Sequence, residues 1–220
     1  LRWTHVFKYV KPLGQKTVLD YGCGSGNLAE VLYRNRHRCK KYVGLDIRQK
    51  TIVDNNDKFE NVPWVEFYQQ DLCQTFNTNI LNWDTFDVIT CFEVIEHIGK
   101  QNADAFMENM VKHANPDTTI LLSTPNYDPQ VGAAQNHIIN GEICEFDHFE
   151  LQSILEKYCT VENKYGTFAS QKDYKKLLND WQLKFFEQAH EYWDSNLLSN
   201  IMAPMFPEQS RNCLWILKIK

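Results

Sequence analysis

The chain has 220 residues, 43% of them hydrophobic and 23% charged, which is ordinary globular usage and excludes an intrinsically disordered protein. A net charge of −5 excludes a globally basic, nucleic-acid-coating protein, so any anionic partner must be engaged locally. The length suits a single domain over 1–220 with its own core.

The one basic cluster, Arg34, Arg36, His37, Arg38, Lys40 and Lys41, reads as the solvated end of a helix. Seven cysteines lie at 23, 39, 73, 91, 144, 159 and 213, an odd number with no C-x-x-C pair. That pattern favours reduced thiols and a cytoplasmic setting over a disulfide framework or a structural zinc site. No apolar run approaches the roughly 18 residues that a membrane span needs, so no membrane partner is expected.

In chain order, an amphipathic start at 3–9 leads to a short buried-strand pattern at 17–21, which ends in the turn Gly22-Cys23-Gly24-Ser25-Gly26. A helix is predicted from Asn27 to Arg34, a second strand at 41–46, helical signal at 49–59 and a third strand at 64–68. The fourth strand is placed at 86–91, then a helix containing Phe106, Met110 and Val111, then a fifth strand at 119–123. This alternation predicts an α/β, Rossmann-like, mostly parallel sheet of seven strands with helices on both faces, because parallel strands require crossovers. A ligand then belongs at the carboxyl ends of the strands.

Beyond Pro125 the pattern is irregular up to Asn140, with a helix following at 146–157 and a sixth strand at 160–165. A polar and aromatic helical region at 172–193 precedes an antiparallel last strand at 213–220. Residues 170–210 are thus expected to form a helical insertion, either a lid or a helix packed on the sheet edge. Trp181, Phe185, Phe186 and Trp193 suit both.

Glycines at 22, 24 and 26 between a strand and a helix let a ligand approach the backbone and leave helix amino-terminal N–H groups available. Asp20 stands just before this turn, and Asp46 closes the next strand, where a carboxylate can accept from both hydroxyls of a ribose. VLDYGCGSGN (18–27), VGLD (43–46) and QQDL (69–72) resemble, in order and spacing, the cofactor motifs of class I S-adenosylmethionine-dependent methyltransferases. The resemblance implies that Gly22, Gly24 and Gly26 line the amino-acid part of S-adenosylmethionine, with Asp20 near its amino group. It also implies that Asp46 holds the ribose, that Asp71 and the Leu72 backbone read the adenine, and that Phe92 completes the set. A nicotinamide dehydrogenase fits less well, because the turn is G-x-G-x-G and no Tyr-x-x-x-Lys pair is placed for hydride chemistry.

After the fourth strand, Glu93, Glu96 and His97 stand at i, i+3 and i+4 and would share a face if helical. Two carboxylates and an imidazole there are candidate catalytic groups. With a further histidine they are candidate ligands for a divalent cation such as magnesium or manganese. The E-x-x-E-H pattern, with Ser123-Thr124-Pro125-Asn126 and His137 ahead of Glu145-Phe146, resembles small-RNA 2′-O-methyltransferases. In that family these residues and a downstream histidine bind a metal near the terminal ribose. The stretch from His137 to Glu145 is longer than that family's compact arrangement, which leaves His148 as a rival fourth ligand.

E-x-x-E-H also resembles ubiquinone-pathway O-methyltransferases and many small-molecule relatives, which implies that His97 is either a base or a helix-capping side chain. The acceptor expected is therefore a nucleic-acid ribose, or alternatively a small-molecule hydroxyl or carboxylate. From a different class, a catalytically silent protein that keeps the fold and binds a partner through its aromatic insertion is the remaining alternative. An Asn/Asp-Pro-Pro-aromatic run and a Pro-Cys nucleophile are both missing, which argues against amino- and C5-methylation of bases. Cys23 and Cys91 read as small buried hydrophobes.

Overall fold

The computed structural model describes residues 2–11, 14–74, 85–128, 137–167 and 178–220. Its central element is a seven-stranded sheet. The strands in chain order are β1 (Thr17–Tyr21), β2 (Lys41–Asp46), β3 (Val65–Gln69), β4 (Val88–Phe92), β5 (Thr119–Pro125), β8 (Cys159–Gly166) and β9 (Asn212–Ile219). They lie in the order β3-β2-β1-β4-β5-β9-β8. β1 to β5 are mutually parallel, whereas β9 runs antiparallel to both β5 and β8.

The helices are α1 (Arg2–Tyr9), α2 (Asn27–Arg34), α3 (Gln49–Lys58), α4 (Ala103–Val111), α5 (His148–Tyr158), α6 (Asp180–His190) and α7 (Ser195–Met202). Alternate residues of each strand feed opposite faces of the sheet. Leu19, Leu45, Ile89 and Leu122 join Phe106, Met110 and Leu155 in one core, and Val18, Tyr42, Val88 and Leu121 join Val6, Leu32 and Ile52 in the other. Strands covered on both faces explain why these runs read as continuously apolar. No helix among the described residues is long and apolar enough to cross a membrane.

The order reverses between β1 and β4, each of which leads to a strand on its own side, and a crevice opens outside their carboxyl ends. Two local features differ from the sequence reading. Residues 138–143, expected to be irregular up to 140, form a hairpin of β6 (Ile138–Ile139) and β7 (Glu142–Ile143), with Asn140 and Gly141 at φ 52° and 85°. Asn-Gly is the residue pair that such a two-residue turn demands. The fifth helix starts at His148, two residues later than expected, because Asp147 and Glu150 form a capping box.

In the 170–210 stretch, residues 170–177 lie outside the described set. The remainder forms α6 and α7, which bury Phe186, Leu198 and Met202 in a small cluster of their own. Trp181 and Phe185 stack on the exposed side, with ring centroids 5.9 Å apart.

Candidate active site

A cavity of about 790 Å³ occupies the crevice, within the range of small-molecule sites. Asp20, Gly22, Gly24, Asp46, Asp71, Leu72 and Phe92 all line it, so the fold gathers the expected cofactor residues from β1, β2, β4 and the segment after β3. Gly26 is the exception. It caps α2 at φ 70°, and a Cβ there would press on Asn55 and Phe59, so its hydrogen side chain serves the packing of α2 on α3. Gly22, at φ 90°, is crowded as well, for a Cβ would overlap Val94 of the segment after β4.

Asp20 is buried at the end of β1, where its carboxylate accepts from the Tyr42 hydroxyl and, at 2.8 Å, from Thr90 Oγ1. Burial outweighs these two bonds and pushes its carboxyl up to about 6. Asp46 accepts from the Gly24 N–H at 3.0 Å and from the Arg48 N–H at 2.9 Å. One of its oxygens thus ties the glycine turn to β2. Asp71 accepts from the Cys73 N–H at 3.0 Å, while the Leu72 carbonyl accepts from Asn109 Nδ2 at 3.2 Å.

On the acceptor side, the expectation of one shared helical face for Glu93, Glu96 and His97 needs correction. Only Ile95–His97 form a turn of 3-10 helix, and Glu93 precedes it in the left-handed region at φ 59°. Its side chain turns instead to Ser123 Oγ at 2.9 Å, Asn212 Nδ2 at 2.7 Å and Arg2 at 3.0 Å. These anchors hold an uncommon backbone conformation in place.

Glu96, His97 and His137 do converge, with one candidate ligand atom from each lying within 4.8 Å of the others. Glu96 is fully buried; Thr124 Oγ1 donates to its Oε2 at 2.9 Å, and Oε1 has no hydrogen-bond partner among the described residues. Burial, followed by the charge of Glu93, pushes its carboxyl up to about 8. His97 is exposed on its solvent side and also lines the cavity; partial burial and the adjacent His137 hold its pKa below the usual imidazole value.

His137 reaches this cluster because of the hairpin. The Cys144 N–H donates to the His137 carbonyl at 2.9 Å, so the extra residues loop outward and His137 comes to rest beside Glu145. His148, the rival, is not brought to the cluster. Its ring lies 4.5 Å from that of Trp215 and its Nε2 is 3.1 Å from Lys164 Nζ.

The methyltransferase domain model matches residues 5–203, which is most of the chain. The chain belongs to the methyltransferase domain family. A small RNA 2′-O-methyltransferase of Arabidopsis thaliana is 28% identical to this methyltransferase over 135 residues, covering 58% of the chain and 14% of the relative. A ubiquinone biosynthesis O-methyltransferase of Rickettsia akari is 30% identical over 122 residues, covering 54% of the chain and 43% of the relative. The chain thus spans less than half the length of either. In structure it is similar to a TehB-like SAM-dependent methyltransferase from Corynebacterium glutamicum, with a TM-score of 0.62, 14% identity, and coverage of 100% of this chain and 88% of that one. Family and relatives agree on a methyltransferase domain, and its fold is that of the S-adenosylmethionine-dependent Corynebacterium protein.

Sequence reading missed several residues that line or brace the site of this methyltransferase. Arg2 and Trp3 of α1 and Arg48 line the cavity, Asn55 Nδ2 donates to the Gly24 carbonyl at 2.8 Å, and Asn212 of β9 anchors Glu93. None had a local pattern to mark it. Glu145 carried a signal, since with Phe146 it follows His137 in the pattern that resembles the small-RNA 2′-O-methyltransferases. Cys23 and Cys91 are buried, and burial raises both thiols, as expected of packing residues.

Proposed function

We propose that this methyltransferase moves the methyl group of S-adenosylmethionine to the 2′-hydroxyl of a terminal RNA ribose, with help from a divalent cation held by Glu96, His97 and His137. The observation that carries this reading is the position of His97. It lines the cofactor cavity and also belongs to the cluster in which a buried Glu96 oxygen lacks a partner among the described residues. A buried carboxylate oxygen without a hydrogen bond is costly, and a cation in front of it would remove that cost. Mixed oxygen and imidazole donors suit manganese, iron or zinc as well as magnesium. Similarity to the Arabidopsis small RNA 2′-O-methyltransferase points to the same acceptor.

In this reading Asp46 accepts the cofactor's ribose hydroxyls, Asp20 faces its ammonium, and Arg2 at the cavity wall complements its carboxylate. Asp71 and Leu72 meet the adenine. Gly22 and Gly24 allow the methionine end to lie against backbone. The acceptor oxygen attacks the methyl carbon in line, the S–CH₃ bond breaks as O–CH₃ forms, and the hydroxyl proton passes to water; the products are S-adenosylhomocysteine, a methyl ether and a proton released to solvent. A bound cation lowers the pKa of an acceptor hydroxyl and orients it. His97, kept neutral by its surroundings, has a lone pair to offer at neutral pH.

The test compares methyl transfer to a short RNA with that to the same RNA ending in a 2′-deoxynucleotide, before and after chelation. Transfer only to the 2′-hydroxyl, lost with chelator and restored by manganese, is expected. Equal transfer to both ends, or chelator-insensitive methylation of phenols and carboxylates, would replace it with the small-molecule reading that the Rickettsia relative favours.

A further inference from the structure

We infer that Glu145 is a positioning residue that fixes the tautomer and ring orientation of His137, presenting Nε2 as the lone-pair nitrogen; the inference rests on reading Glu96, His97 and His137 as a cation site. Glu145 is fully buried, and one oxygen, Oε1, is approached by both the His137 backbone N–H at 3.3 Å and the ring Nδ1 at 3.2 Å. An ionised carboxylate only accepts hydrogen bonds, and a neutral imidazole has one N–H and one lone pair. Nδ1 must therefore carry the proton, which leaves Nε2 to bind a ligand.

The backbone around Glu145 is pinned independently of the histidine. Phe146 forms a parallel bridge with Asn126 at the exit of β5, the Tyr127 N–H donates to the Phe146 carbonyl at 2.8 Å, and Asp147 caps α5. The base of the hairpin then brings His137 to that fixed carboxylate. Glu145 also lies close enough to Glu96 for its charge to raise the Glu96 carboxyl. Two buried carboxylates side by side are unfavourable by themselves. They make chemical sense around a cation, one as a direct ligand and the other behind a histidine ligand, where such outer partners raise ligand basicity and fix orientation.

Two measurements on the full chain test this. Long-range ¹H–¹⁵N spectra of histidine-labelled, metal-free protein at pH 8, assigned with His137→Gln, are expected to show His137 with its proton on Nδ1; a proton on Nε2 overturns the inference whatever any variant does. Calorimetric titration with manganese alone is expected to show affinity lowered about 10- to 100-fold in Glu145→Leu. Glu145→Gln, whose carbonyl can accept the same two bonds, should recover most of it. S-adenosylmethionine affinity should be unchanged in both, which separates lost positioning from lost folding. Manganese binding that is equal in wild type and Glu145→Leu overturns the role of Glu145 and leaves the cation site standing. A wild-type protein that takes up no manganese overturns the cation site, and this inference falls with it.

Discussion

Arg48 lays its guanidinium on the Asp46 carboxylate, with Nε 3.1 Å from Oδ1, while its own backbone N–H reaches the same oxygen. The other oxygen receives the Gly24 N–H and, at 3.5 Å, Arg48 NH2. Every acceptor position on Asp46 is engaged, so a ribose diol can bind only by displacing the arginine side chain.

Replacing Arg48 by Met is therefore expected to tighten S-adenosylmethionine binding. The pair is largely exposed on the arginine side, so the gain is small, about two- to fivefold in Kd by calorimetry. Asp46→Ala should weaken binding by about tenfold or more, since two hydrogen bonds to a charged group are lost. An Arg48→Met protein that binds more weakly would mean that Arg48 contributes to the cofactor site directly.

The raised Asp20 carboxyl sets a pH dependence. A cofactor ammonium favours the ionised form, so affinity for S-adenosylmethionine should fall as pH drops through about 6 in wild type and stay flat in Asp20→Asn. The cofactor-free fold has the opposite sign. Because folding raises this carboxyl above its ordinary value, its contribution to stability is complete below pH 4 and is lost as pH rises through about 6. Comparing thermal midpoints of wild type and Asp20→Asn from pH 4 to pH 8 checks both the direction and the window.

Glu93→Ala removes the acceptor for the buried Asn212 amide but leaves residue 93 in its left-handed conformation. A destabilisation of about 1–3 kcal/mol is expected in urea titrations, chiefly from the stranded amide. Near-wild-type stability would show that water replaces the carboxylate freely.

His137 and His148 should separate cleanly. His137→Ala is expected to abolish manganese uptake and to cost some stability, because the fully buried Glu145 carboxylate loses the ring Nδ1–H. His148→Ala should leave uptake intact and lower the unfolding free energy, since the buried ring packs on Trp215. The reverse result would assign the site to His148 in place of His137.

For the helices before the last strand, Phe186→Ala should cost about 3 kcal/mol by emptying their small core. Trp181→Ala should change stability by no more than about 0.5 kcal/mol, because its ring is 73% exposed.

Sheet and cofactor residues were legible because the inner parallel strands are apolar on both faces, and polar residues that line the crevice stand at or just past the carboxyl ends of β1, β2 and β3, as Asp20, Asp46 and Asp71 do. Glu93 misled because its conformation is set by Asn212, 119 residues away, and not by the helical spacing to Glu96. The Asn140-Gly141 turn was a readable signal, but strands of two residues are too short for alternation to show. Without that hairpin, the stretch from His137 to Glu145 read as longer than the compact arrangement of the similar family and left His148 as a rival, although the fold makes His137 and Glu145 a contact. Arg48 and Arg2 are single charges in unremarkable surroundings, and only the cavity gives them meaning.

The crowding of Gly22 by Val94 joins two parts of the molecule that a motif table keeps separate. The loop that would cradle the methyl donor and the segment that carries Glu93, Glu96 and His97 abut with no room for one added carbon. Donor preference and acceptor preference are consequently not independent traits in this chain. Engineering that enlarges residue 22 to admit a different donor would shift the acceptor groups as well, and a useful library would vary positions 22 and 94 as a pair.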